Sequence, residues 1–174
     1  MSKNNWGYKL MIFTYKIADF FRPAGGILEE FNIKEGSVVV DYGCGPGRYI
    51  EKASNLVGKN GKVYAVDIHP LAIETVENKI ESKNLENVIP VLADDNKCSI
   101  NDNTAEIIYA LDMFHHVNEP ESFFRELNRI IKNDGILYIE DGHQSREEST
   151  AKLELSKRWK IVDQKDRYLK CKPK

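Results

Sequence analysis

Apolar residues recur along the chain in two alternating rhythms, short β-branched runs and longer stretches with helical spacing, which predict strands separated by helices. The first stretch, WGYKLMIFTYKIADFF, is dense in apolar and aromatic side chains with Lys9, Lys16 and Asp19 interspersed, and predicts a partly amphipathic helix. Pro23 and the pair Gly25 and Gly26 break it, and a short helix, ILEEFNI, follows. After Gly36 the first strand reads SVVVDY, and Pro46 opens the helix GRYIEKASNLV as a first-turn proline. The turn at Asn60 and Gly61 leads into a second strand, KVYAVDI. Pro70 then opens LAIETVENKIESK, in which Leu71, Ile73, Val76 and Ile80 form a core-facing stripe.

The second half keeps the rhythm. NVIPVLA predicts a short strand whose Pro90 suits a sheet edge. TAEIIYALD predicts a strand apolar enough for a sheet interior. Asn118 with Glu121 has the spacing of a capping box for the helix ESFFRELNRIIK, with Pro120 in its first turn. Asp134 and Gly135 turn into the strand ILYIED, and Ser145 with Glu148 caps the helix REESTAKLELSKR. WKIVDQ and RYLKCK are joined too tightly for a helical crossover and predict an antiparallel hairpin. Five strands with helical crossovers imply a mostly parallel sheet with helices on both faces. Ligands of such sheets bind beyond the carboxyl ends of the strands, which centres the site on Asp41 to Gly47.

Composition narrows the class without naming a function. A chain of 174 residues with 41% hydrophobic and 30% charged residues reads as one soluble domain spanning 1–174. A net charge of −2 gives no global attraction to nucleic acid. Cys44, Cys98 and Cys171 are few and widely spaced, which fits a reducing, cytoplasmic setting with no disulfide framework and no metal knuckle. The apolar stretch at residues 10–13 is soon interrupted by Thr14, Lys16 and Asp19, so neither a signal peptide nor a transmembrane segment is expected.

The chemistry concentrates in VVVDYGCGPGRYI. A P-loop requires Gly-Lys-Ser/Thr, but Gly47 is followed by Arg48 and Tyr49. A dinucleotide fingerprint is GxGxxG, whereas Gly43, Gly45 and Gly47 alternate and follow the acidic Asp41. An anionic side chain at this strand end suits an ammonium or a hydroxyl better than a pyrophosphate.

DYGCGPG resembles the first motif of the class I S-adenosylmethionine-dependent methyltransferases, and further motifs follow in the family's order. Asp67 ends the second strand, LADD follows the third, LDMFHHVNEP the fourth, and FRELNRIIKNDGILYIED resembles the family's last helix and fifth strand. Asn133, Asp134 and Gly135 stand where the family has Pro-Gly-Gly, a departure confined to a turn. The resemblance covers roughly residues 30 to 174. It implies a three-layer Rossmann-like α/β sandwich: a seven-stranded sheet ordered 3-2-1-4-5-7-6, the last strand antiparallel.

It also implies roles. Asp41 would lie near the cofactor's amino group, with Gly43, Gly45 and Gly47 giving close approach to the methionine and ribose. Asp67 would hold the ribose hydroxyls, Ile68 would pack on the adenine, and Asp94, beside Ala93, would accept from its amino group; Asp95 could supply the same carboxylate. Leu111 and His116 would complete the pocket. His115 and His116 are the candidates for a general base, set against a structural role for His116 and against a transfer that needs alignment alone. The pair lacks a third ligand for a metal. Cys44 reads as a small filler, and Asp112 either faces the cofactor's amino group or ends a strand.

The expected activity is methyl transfer from S-adenosylmethionine to a small-molecule acceptor, leaving S-adenosylhomocysteine, with the quinone-biosynthesis type the nearest in look. Leu111-Asp112-Met113-Phe114 replaces the Asn/Asp-Pro-Pro-Tyr/Phe of base N-methylating enzymes, so no nucleic-acid partner is expected. A cofactor-binding accessory protein without transferase activity is the alternative. Residues 1–30 form a helical N-terminal segment that serves as a lid over the site, as core, or as a transient membrane contact; a homodimer would also fit.

Overall fold

The computed structural model describes residues 26–95 and 97–174. The aromatic helix expected before Pro23, and with it the lid, lies outside the described residues. The elements in chain order are α1 (Gly26–Glu29), β1 (Val38–Tyr42), α2 (Ile50–Val57), β2 (Lys62–Asp67), α3 (Pro70–Lys83), β3 (Val88–Leu92) and β4 (Ala105–Ala110). A single 3₁₀ turn at Phe114–His116 precedes α4 (Pro120–Ile130), β5 (Ile131–Glu140), α5 (Arg146–Leu155), β6 (Trp159–Gln164) and β7 (Tyr168–Pro173).

The sheet runs β3-β2-β1-β4-β5-β7-β6. β1 to β5 pair in parallel, and β7 inserts antiparallel between β5 and β6. This is the expected Rossmann-like order, with β3 and its Pro90 at an edge. Period-two alternation divides the core between the faces. Val40, Val66 and Ile108 pack against Phe123, Phe124 and Leu127 of α4, Leu153 of α5 and Trp159, whose indole N–H donates to the Phe124 carbonyl at 3.2 Å. Val39, Ala65 and Ile107 face Ile50, Ala53 and Val57 of α2 and Val76 of α3. On that face Phe31, just after α1, stacks on Tyr138 with ring centroids 3.9 Å apart.

Several local expectations are corrected. α2 begins at Ile50, because Gly47 sits at φ +72°, outside helical space, so Pro46 lies in a turn ahead of the helix. In α3 only Val76 of the expected stripe is fully buried; Ala72, one turn earlier, is its buried partner, and Leu71, Ile73 and Ile80 are half-buried. The capping box at Asn118 does not form: Glu119 is the N-cap, with no side-chain cap, and Pro120 at the first position has no N–H to satisfy. Asp134 and Gly135 do not precede β5 but bulge within it, where Ile131 pairs with Ala105 and Ile136 with Ile107.

The cap on α5 does form. The Ser145 hydroxyl accepts from the Glu148 N–H at 3.2 Å, and Glu148 Oε2 accepts from the Ser145 N–H at 2.9 Å. Ser145→Ala removes the first of these bonds and lowers stability by about 1 kcal/mol, readable by denaturant unfolding.

Candidate functional site

The carboxyl ends of β1, β2 and β4 meet around the glycine loop. The Gly43 and Cys44 N–H groups both donate to the Val66 carbonyl, at 2.8 and 2.9 Å, which ties the loop to β2. The Lys79 ammonium of α3 donates to the Gly47 carbonyl at 2.6 Å and holds the loop's far end. Asp67 joins the two parts of the site: Oδ2 accepts from the Gly45 N–H at 2.9 Å and Oδ1 from the His69 N–H at 2.8 Å. His69 in turn caps α3, its Nδ1 accepting from the Leu71 N–H at 3.2 Å.

Two of the three glycines are required by contact as well as by backbone angle. A Cβ on Gly43 (φ +80°) would come within 2.7 Å of Met113 Cγ, and one on Gly47 (φ +72°) within 2.9 Å of Ile50 Cδ1. Above Gly45 nothing lies within 4 Å, so the middle of the loop faces open space.

That space is a trough in two parts. A cleft of about 310 Å³ is walled by Tyr42, Gly43, Asp67, Ile68, Ala93, Asp95, Met113, His116 and Glu119 among others. A smaller one of about 140 Å³ lies between the loop (Gly43 to Pro46, Arg48, Tyr49) and Leu111, Asp112, Met113 and His116. Gly43, Asp67, Met113 and His116 are common to both. Ile68 is 56% exposed, an apolar surface open to a ligand, whereas Ala93 beside it is buried.

Of the residues singled out from sequence, Gly43, Gly45, Asp67, Ile68, Ala93, Leu111 and His116 stand on the trough walls. Asp41, Gly47, Asp94 and His115 stand off them. Asp94 is exposed and pairs through its backbone with Lys97 in both directions, at 2.9 and 3.0 Å; Asp95, at φ +56°, is the carboxylate that reaches the wall. His115 is not among the residues walling the trough, and its ring lies 3.9 Å from that of His116 and 4.8 Å from that of His143. Burial and the two neighbouring imidazoles hold its pKa below the usual histidine range. Asp112 adopts φ +55°, and its N–H donates to Glu140 Oε2 at 3.1 Å.

Tyr42, Tyr49 and Met113 also wall the trough, and His143 packs on His115 behind it. Tyr42 is findable by position, since it follows an acidic residue at a strand end. His143 is not, because it reaches His115 only through the turn after β5.

Asp41 lies beneath the loop rather than in the trough, 1% exposed, with Oδ2 lacking a hydrogen-bond partner among the described residues. Burial above all, then the nearby Asp67 carboxylate, raises its pKa to about 8. The Tyr109 hydroxyl and Lys79 oppose the rise, although the hydroxyl beside the carboxyl falls short of an aligned hydrogen bond. The Cys44 thiol is pushed well up by burial and by Asp41 and Asp67, so it is no thiolate nucleophile. Among the described residues no cluster of histidine, cysteine and carboxylate could hold a metal ion, and no helix is long and apolar enough to cross a membrane.

Known proteins resemble this chain in sequence and fold. The family model described as a methyltransferase domain matches residues 33–171. The chain is 31% identical over 112 residues to (S)-coclaurine N-methyltransferase of Thalictrum flavum subsp. glaucum, covering 64% of this chain and 30% of that protein. It is 30% identical over 113 residues to demethylmenaquinone methyltransferase of Staphylococcus saprophyticus, covering 64% and 47%. The chain thus spans less than half the length of these curated relatives. Among solved structures, a SAM-dependent methyltransferase from Aquifex aeolicus superimposes with a TM-score of 0.72 at 29% identity, covering 84% of this chain and 86% of that one. With the family match extending over most of the chain and the sheet order its fold requires, the protein belongs to the methyltransferase-domain family.

Proposed function

We propose that this chain is an S-adenosylmethionine-dependent methyltransferase acting on a small-molecule acceptor. The observation that carries the reading is Asp67, a carboxylate fixed by two backbone N–H groups at the edge of a trough whose floor, at Gly45, is open. Each oxygen keeps acceptor capacity for a ribose hydroxyl, since an ionised carboxylate offers about four lone-pair sites. Ile68 and Ala93 supply apolar surface for a purine, and Asp95 an acceptor at its edge. The carboxylates of Asp67, Asp95 and Asp112 around the walls suit a cationic ligand.

When bound, the sulfonium supplies an already activated methyl group. The protein's part is then to bind, orient and exclude water, which is worth several kcal/mol when the reacting atoms are held in line. We assign the proton-accepting role, for an acceptor that carries a proton, to His116, which lines both parts of the trough; the ring of His115 packs 3.9 Å from it. A small acceptor is supported by the names of the two curated relatives and by Leu111 to Phe114 in place of a base-methylating motif.

Calorimetry with S-adenosylmethionine, S-adenosylhomocysteine and NAD separates the cofactor readings: binding of the first two and not the third is expected. Formation of S-adenosylhomocysteine from an acceptor panel and cell extract then tests transfer. Tight binding with no turnover on any acceptor would make the chain an accessory protein instead.

A further inference from the structure

α4 carries an ion pair, its carboxylate buried and its guanidinium partly exposed, that reaches across to the loop after β3. Glu126 is 7% exposed; its Oε1 accepts from the Cys98 backbone N–H at 2.9 Å and from Arg129 Nη2 at 2.6 Å, and its Oε2 accepts from Arg129 Nε at 2.9 Å. Arg129 donates further to the carbonyls of Cys98 at 3.1 Å and Ile100 at 2.8 Å, and to Asp102 Oδ1 at 2.6 Å. All five guanidinium N–H donors are thereby engaged.

The stretch held this way, Cys98 to Asp102, continues directly from the turn that places Ala93 and Asp95 on the trough wall. Among the described residues that turn is fixed at its other end by backbone: the Ala93 N–H donates to the Asp67 carbonyl at 2.9 Å, and Asp94 pairs with Lys97. Anchoring of α4 itself does not require the pair, because Phe123, Phe124, Leu127 and Ile130 are already fully buried against the sheet. An ion pair, partly exposed or buried, adds little net stability compared with apolar packing, but a forked, fully bonded one imposes geometry. Its acceptors outside α4 all lie on one short segment.

We infer that Glu126 and Arg129 are positioning residues for the nucleoside side of the trough, holding Cys98 to Asp102 so that Ala93 and Asp95 keep their place relative to Asp67. The inference rests on the cofactor placement proposed above. It is tested by calorimetry on folded protein, well below the melting temperature, with S-adenosylhomocysteine and the nucleoside fragment 5′-methylthioadenosine as probes. Arg129→Gln is expected to weaken both about tenfold and by the same factor, within the range of effects transmitted through a packed network. Arg129→Lys, which keeps the charge and loses the fork, is expected to weaken both by a smaller factor, and it carries the test if Arg129→Gln does not fold.

Unchanged affinities beside a lowered melting temperature would make the pair purely structural and overturn the inference. So would weakened S-adenosylhomocysteine binding with the fragment unaffected. An Asp67→Asn variant run in parallel separates the two levels. If Asp67→Asn is weakened and Arg129→Gln is not, the inference alone falls; if Asp67→Asn binds both probes normally, the nucleoside placement falls and takes the inference with it.

Discussion

Asp67→Ala lowers affinity for S-adenosylhomocysteine by roughly 100-fold, the loss that follows from removing charge-assisted hydrogen bonds in a partly buried setting. Two losses combine. The ribose hydroxyls lose their acceptor, and the Gly45 and His69 N–H groups lose theirs, which frees the middle of the loop and the entry to α3. Asp67→Asn separates them. It keeps one oxygen for one N–H but turns an amide donor toward the other, so its affinity falls less than that of Asp67→Ala, while the loop remains in place. Titration calorimetry on both variants, with circular dichroism to establish that they are folded, reads the difference. Affinity of Asp67→Ala within twofold of wild type would remove Asp67 from the binding site.

That Asp67 could be singled out from sequence at all reflects where it stands. An acid that ends a β-branched run must lie at the carboxyl edge of the sheet, and in a parallel sheet that edge is the ligand side. Asp41 ends a strand in the same way but lies beneath the loop, off the trough walls; the seven strands were legible because short β-branched and apolar runs are bounded by turn residues. What could not be read was decided by contacts distant in sequence or by a single backbone angle. Between Asp94 and Asp95 the choice turns on the left-handed φ of Asp95, which breaks strand alternation just where the side chain enters the wall. Pro46 carries the signal of a helix start, but Gly47 is drawn out of helical space between Ile50 and Val76. Glu126 and Arg129 look like ordinary polar positions on an amphipathic helix, because nothing nearby in sequence announces that Cys98 and Ile100 come to meet them.

Asp41→Asn stabilises the ligand-free protein at alkaline pH, by about 2–5 kcal/mol at pH 8.5. The sign follows from the proton. Burial raises the Asp41 carboxyl from an ordinary 3.8 to about 8, so between these values the folded state keeps a proton that the unfolded chain has released. The stability linked to Asp41 is therefore complete below about pH 4, declines as pH rises, and is lost once pH passes about 8. Asparagine has no proton to release, and the groups facing position 41, namely Asp67 on β2, Tyr109 on β4, Lys79 on α3 and Cys44 in the loop, are common to both proteins. Denaturant unfolding of the pair from pH 5 to 9 thus isolates Asp41 by difference: the curves should converge at low pH and separate as pH rises, and parallel curves would refute the assignment. If S-adenosylmethionine binds as proposed, its sulfonium and ammonium above the loop would favour the ionised carboxylate. Wild-type affinity for S-adenosylmethionine should therefore rise with pH toward 8 more steeply than affinity for S-adenosylhomocysteine, which lacks the sulfonium charge, and Asp41→Asn should remove that difference in slope.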